Sequence, residues 1–148
     1  MIGTRVLAVL GLMAAGLGAT SSGETNESFD RGERIELVLT VRNRRDTPVT
    51  VQFSSARTSD FLIVRENSSS VVWKWSTGRE FTPVETEIDF GAGETRTFSV
   101  SWDQTDSNGA QAGAGTYEAR GVLVYEDFDA NPLRSHQMAS TLERFAIR

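Results

Sequence analysis

The chain predicts an all-β protein, an antiparallel β-sandwich of about seven to eight short strands, on three observations. After Phe29, apolar and polar residues alternate with a period of two through most of the chain. Clusters of Gly, Asn, Asp and Ser interrupt that alternation at short intervals, as turns do. No segment beyond residue 28 spaces its apolar residues by three and four, so long helices are not expected.

Taken in order, the first segment stands apart from that pattern. Met1–Arg5 carries one positive charge, and the uncharged run Val6–Ala19 follows, ending in Leu17-Gly18-Ala19. A basic start, an apolar stretch and small residues are the layout of a secretory signal peptide. The run is shorter than the roughly 20 residues that cross a bilayer as a helix, which favours cleavage over anchoring. A buried core helix ranks third. Thr20–Asn26 is small and polar. The expected organisation is a signal peptide at 1–19, a polar linker at 20–28 and one β-sandwich domain at 29–148. Such a protein is expected outside the cytoplasm, secreted or in the cell envelope or periplasm.

The strands follow. Ile35, Leu37, Leu39 and Val41 face one way, with Glu36, Thr40 and Arg42 opposite. Asn43–Pro48 reads as a turn, because Pro48 can open a strand but not donate within one. Val49, Val51 and Phe53 alternate next, and Phe61-Leu-Ile-Val64 is a short continuous apolar run. Val71, Trp73 and Trp75 share a face, and so do Val84, Thr86, Ile88 and Phe90. Gly91–Glu94 turns the chain into Phe98, Val100 and Trp102. Gly115-Thr-Tyr117 opens a strand through Ala119, Gly121, Leu123 and Tyr125, and residues 140–147 read as the last. About 120 residues in such strands fit one immunoglobulin-like sandwich and not two domains.

Composition removes several functional classes. Hydrophobic residues make up 39% and charged residues 24% of the 148, enough for a core. The net charge is −5, against the basic face that nucleic-acid binding needs. There is no Cys, which excludes disulfides, zinc fingers, thiol nucleophiles and a lipidated cysteine anchor. One His, His136, with no nucleophile elbow beside it, argues against acid–base or triad chemistry. No enzyme activity, cofactor or metal is expected. Asp103, Asp106 and Asn108-Gly109 faintly suggest a calcium loop, but the twelfth position from Asp103 is Ala114 rather than Glu. Turn chemistry explains them better. Asn67-Ser-Ser69 and Asn26-Glu-Ser28 match the N-glycosylation acceptor pattern.

Five pieces in fixed order carry a resemblance. They are Leu39-Thr-Val-Arg-Asn43; Val51-Gln-Phe-Ser-Ser55 leading to Asp60-Phe61; Val72-Trp-Lys-Trp-Ser76 with Phe81; Gly93-Glu94 with Trp102-Asp103; and Asn108-Gly109 before Gly115-Thr-Tyr117. Together they resemble the family named after the intracellular proteinase inhibitor of Bacillus, the BsuPI domain, from about Phe29 to Ile147. The resemblance implies an immunoglobulin-like sandwich and, through the founder's activity, inhibition of a subtilisin-type serine protease. Its motif residues are Phe53, Asp60, Phe61, Trp73, Trp75, Ser76, Trp102, Asp103, Gly109, Gly115 and Tyr117. A structural role is expected for them. Trp73, Trp75 and Trp102 suit a core better than a sugar- or peptide-binding face, since a sandwich without disulfides needs buried aromatic anchors.

An inhibitor of this kind presents a rigid loop that fills the protease cleft. Three loops are candidates: Ser55–Ser59 with Arg57 and Thr58, Ser76–Phe81 with Arg79 and Phe81, and Asp103–Gly115. Arg57 or Arg79 would suit a trypsin-like pocket, and Phe81 a subtilisin-like one. The expected partner is thus a serine protease. The alternative is an immunoglobulin-like interaction module of the cell envelope, binding another envelope protein or a polysaccharide. No nucleic acid and no membrane span are expected.

Overall fold

The computed structural model describes residues 27–134, 138–140 and 142–148, together with the backbone of two strands near the N-terminus. His136 and Asn26 lie outside the described residues. The strands are β1 (Thr4–Leu12), β2 (Leu17–Gly18), β3 (Ser28–Phe29), β4 (Arg34–Asn43), β5 (Val49–Phe53) and β6 (Ser59–Arg65). They continue with β7 (Val71–Lys74), β8 (Thr86–Phe90), β9 (Thr95–Trp102), β10 (Gly115–Leu123), β11 (Ala139–Ser140) and β12 (Glu143–Ile147). From Arg34 onward, eight strands have four residues or more, and the fold is an all-β sandwich. No helix among the described residues is long and apolar enough to cross a membrane.

One layer contains β4 and β9, antiparallel from Ile35 opposite Trp102 to Arg42 opposite Thr95. The short pair β5–β8 continues beside it, with Val49 opposite Phe90. The other layer runs β7–β6–β10–β12–β3. Its centre is β10, which pairs with β6 on one side and with β11 and β12 on the other. Strand β1 lies parallel to β4 and touches β11 at its end, joining the two layers into one hydrogen-bonded sheet. The apolar segment at 1–19 is thus part strand in this structure, a conformation the sequence reading did not anticipate.

The period-two pattern becomes burial directly. Ile35, Leu37, Leu39 and Val41 of β4 are buried against Phe61 and Ile63 of β6 and Tyr117, Ala119 and Leu123 of β10 in one core. The continuous run Phe61–Val64 has a different cause. Phe61 and Ile63 enter that core, while Leu62 and Val64 join Val122, Phe128 and Ala139 in a second cluster on the outer face. Both faces of β6 are therefore dry, so alternation disappears from its sequence.

Trp102 fills the centre. It is fully buried, and its ring lies 5.9 Å from Trp73, 6.4 Å from Tyr117 and 6.2 Å from Phe145. Tyr117 stacks on Phe145 at 5.8 Å and donates its hydroxyl to the Gly113 carbonyl at 2.6 Å. That bond ties the start of β10 to the preceding loop and satisfies the one polar atom of a buried ring.

Several boundaries differ from the sequence reading. Strand β8 begins at Thr86, and Val84 lies outside it, 57% exposed. Pro83 has no N–H, and the Val84 N–H is used on the Thr82 carbonyl at 2.8 Å, which bends the chain before the ladder starts. A register shift between Ile63 and Val64 leaves Val71 at the surface while Trp73 packs on the core. Strand β10 ends at Leu123, and Tyr125 belongs to the following turn. The last strand is two pieces, β11 and β12.

Gly121 sits where the layers approach closely. A Cβ there would lie 3.1 Å from both the Leu39 Cβ and a Phe61 ring carbon. Gly121→Val is expected to destabilise the fold by about 2 kcal/mol through overpacking, read from urea unfolding midpoints. Glu143 is buried on β12, and neither carboxylate oxygen has a hydrogen-bond partner among the described residues. Burial raises its pKa. A carboxyl whose pKa is higher folded than unfolded contributes fully below its unfolded value of about 4.3 and loses that contribution as pH rises through the folded value. Glu143→Gln is therefore expected to match the parent near pH 4 and to exceed its stability at pH 8, in melts across that range.

Candidate functional site

Three connections meet at one end of the sandwich: β5–β6, β7–β8, and β10–β11. The register places them together, because Leu123 at the end of β10 faces Ser59 at the start of β6. Backbone bonds join them, from Val124 N–H to the Thr58 carbonyl at 2.9 Å and from Ala56 N–H to the Thr82 carbonyl at 3.0 Å.

Asp60 holds this end from within. It is fully buried, and its carboxylate accepts from the Phe61 N–H at 2.8 Å, the Ser76 N–H at 3.2 Å and the Ser76 hydroxyl at 2.5 Å. Burial raises the Asp60 pKa, with the Ser76 hydroxyl opposing it. Above it, Arg57 donates to Ser76 Oγ at 3.2 Å and grips Asp129 through two bonds, at 3.2 and 2.8 Å. Lys74 Nζ reaches the same carboxylate at 2.7 Å, and both cations lie over the Phe128 ring. Hydrogen bonding from Arg57, with Lys74 adding to it, lowers the Asp129 pKa. The latch therefore holds at neutral pH and loosens only as acid reaches that lowered value.

These bonds decide what projects. Arg57 does not protrude: its side chain is 17% exposed and spent on Asp129. Thr58 is half-buried, its carbonyl used by the Val124 N–H just past β10. Arg79 lies flat on Trp75, with its guanidinium carbon 4.5 Å from the ring centre and its Nε donating to the Trp75 carbonyl at 2.9 Å. Phe81 packs on the Trp75 ring at 5.7 Å, half-buried under its own loop. Beyond Phe81 the chain is exposed through Thr82, Pro83, Val84 and Glu85, with a tight bend where the Val84 N–H meets the Thr82 carbonyl. The Val84 carbonyl accepts from the Thr86 hydroxyl at 3.0 Å. Val84 is the more exposed of the two large hydrophobic side chains at the surface of the described residues.

The third loop, Asp103–Gly115, sits at the opposite end. Asp103 Oδ1 accepts from Thr105, and Asp106 Oδ1 accepts from the Asn108 and Ala110 N–H groups. Gly109 takes φ +82° there and Gly115 φ +148°, backbone that side chains resist. The two aspartates are thus engaged in turn geometry. The motif residues Phe53, Phe61, Trp102 and Tyr117 lie in the core, Trp73 and Trp75 pack on its edge, and Ser76 is held by Asp60.

Sequence reasoning missed Val84, Lys74 and Asp129. The Thr82-Pro83 pair before Val84 is a signal against strand continuation. Nothing in the sequence pairs Asp129 with Arg57, 72 residues away. Beside the latch, a cleft of 790 Å³ opens between the end of β5 and residues 124–130, lined by Phe53, Val124, Tyr125, Phe128 and Met138.

A family model described as BsuPI, intracellular proteinase inhibitor, matches residues 24–128. No curated protein matches the chain. Among solved structures, a β-glucosidase, EmGH1 from Erythrobacter marinus, aligns at 11% identity and a TM-score of 0.48. The alignment covers 89% of this chain and only 15% of that one. The CARDB domain of PF1109 from Pyrococcus furiosus aligns at 12% identity and a TM-score of 0.38, covering 84% and 86% of the two chains.

Removing the buried acceptor tests the bolting of this end. Asp60→Ala strands the Ser76 N–H and hydroxyl and is expected to cost about 2 kcal/mol. Chemical denaturation measures it, and increased amide exchange at residues 55–58 and 75–79 is expected alongside.

Proposed function

The chain belongs to the BsuPI family of proteinase inhibitors, and from that premise we propose that it is a non-enzymatic binding protein that restrains a subtilisin-like serine protease through its β7–β8 loop. One observation carries this reading: Val84 stands 57% exposed just past a tight bend, on a loop segment whose two ends are fixed. Upstream, Phe81 and Arg79 grip Trp75, and Thr82 is bonded to Ala56; downstream, Thr86 enters β8. A segment held in shape by its own turn and by fixed ends loses little freedom on binding, so more of its contact energy appears as affinity. A small branched aliphatic side chain fits an apolar pocket and not a basic-residue pocket. The two arginines that would suit the latter are both engaged, on Asp129 and on Trp75.

The reading extends to the chain's organisation. Residues 1–19 act as an export signal, 20–28 as a linker and 29–148 as the inhibitory domain, which places the protein outside the cytoplasm. The basis is the uncharged run Val6–Ala19; the family's description is of an intracellular inhibitor. N-terminal sequencing of protein from its native host is expected to begin beyond residue 19, and an intact Met1 in the folded pool overturns export.

For inhibition, Ki is measured against a panel of subtilisin-like proteases. Val84→Asp is expected to weaken inhibition about a hundredfold, the size of a hot-spot loss of about 3 kcal/mol, while the urea midpoint stays within error. Failure of the parent to inhibit any member at micromolar concentration, with its fold verified by circular dichroism, removes the protease reading. It leaves the envelope interaction module, with the cleft beside Phe128 as the surface to probe.

A further inference from the structure

Strand β4 is regular over ten residues and pairs with β9 over eight of them. From residue 27 onward, no strand bonds its other side, because β3 pairs with β12 in the opposite layer. No proline and no bulge interrupts that side, and between Arg34 and Arg42 the strand carries one charge, Glu36. Its inward residues Ile35, Leu37 and Leu39 are fully buried, so the backbone is held flat and in fixed register. A long regular edge of this kind exposes a row of N–H and C=O groups and templates the addition of another strand.

In this structure β1 takes that place. It runs parallel to β4 in unbroken register, from Thr4 opposite Arg34 to Leu10 opposite Thr40. Its last residues then pair with β11, Gly11 opposite Ser140 and Leu12 opposite Ala139. After Arg5 the segment is uncharged and aliphatic, Val6-Leu-Ala-Val-Leu-Gly-Leu12. The strand that covers the edge is thus the one whose composition marks it for removal.

We propose that the free side of β4 is a strand-acceptor groove, filled within the chain by Thr4–Leu12 and, when that segment is gone, by an uncharged aliphatic extended segment of another polypeptide. Main-chain bonds along β4 supply the affinity, and alternate side chains of the incoming strand supply selectivity. The seven-residue parallel register with β1 specifies the length and direction of the occupant. The groove rests on the export reading, which removes the N-terminal segment, but not on the protease reading, since it is remote from the β7–β8 loop in sequence.

The test uses the full chain with a specific cleavage sequence inserted between residues 20 and 26. Amide exchange of Arg34–Thr40 is followed before clipping, after clipping and removal of the released segment, and after adding a peptide of residues 4–12. Protection is expected to fall at least tenfold on removal and to return with the peptide. A control peptide carrying Leu7→Asp and Val9→Asp is expected not to restore it. Tryptophan fluorescence checks that the clipped domain stays folded. Exchange at β4 that is indifferent to the segment overturns the proposal. So does a clipped domain that unfolds, since the segment is then an integral strand, and so does a clipped domain that dimerises through β4, since a second copy is then the occupant.

Discussion

The structure depends on Trp102. A sandwich needs something to fix one layer on the other, and with no cysteine in the chain that role falls to packing. Trp102 ends β9 in one layer and contacts Tyr117 of β10 and Phe145 of β12 in the other, with Trp73 of β7 at its side. Its indole N–H, which would otherwise be stranded in the core, donates to the Thr105 carbonyl at 2.8 Å. A buried aromatic ring contributes a few kcal/mol through area alone. The geometry adds register: with Trp102 opposite Ile35, the alternation of β4 can face only inward.

Around that centre, buried polar side chains set the ends of the strands. Asn43 closes β4, with its amide within hydrogen-bonding distance of the Thr47, Phe90 and Gly91 carbonyls and its carbonyl accepting from the Arg45 N–H. Gln104 plays the matching part at the other end, bonded to the Asp30 and Glu33 carbonyls and to the Gly32 N–H. Asp60 does so for the loops that carry Arg57 and Ser76. In each case a loop that cannot bury apolar surface is fixed by satisfying its backbone groups with a buried side chain, from within a strand for Asn43 and Asp60 and from just past the end of β9 for Gln104. This organisation leaves Thr82–Glu85 outward-facing between fixed ends.

Legibility in the sequence followed the physics of each element. Strands with one wet face, such as β4 and β5, were readable because burial imposes a period of two. Strand β6 was readable only as a run, because Leu62 and Val64 face a second cluster that the β10–β11 loop builds from Phe128. The start of β8 was misread because Val84 continues the alternation arithmetically while Pro83 interrupts it sterically. The candidate loops were identified as loops, but not which of their residues point outward. Arg57 looks available in one dimension and is consumed in three by a carboxylate 72 residues away.

By itself, the sequence determined the all-β class, the faces of most strands, the absence of disulfide and thiol chemistry, and the family. These follow from local alternation, from composition and from short motifs whose meaning does not require distant partners. Tertiary structure alone decided which residues are spent and which remain free: that Arg57 and Lys74 close on Asp129, that Arg79 lies on Trp75, that Val84 projects, and that one side of β4 is taken by the N-terminal segment. The reason is physical. Availability for binding is what remains after hydrogen bonds and burial are satisfied, and those partners are set by strand pairing across the whole chain.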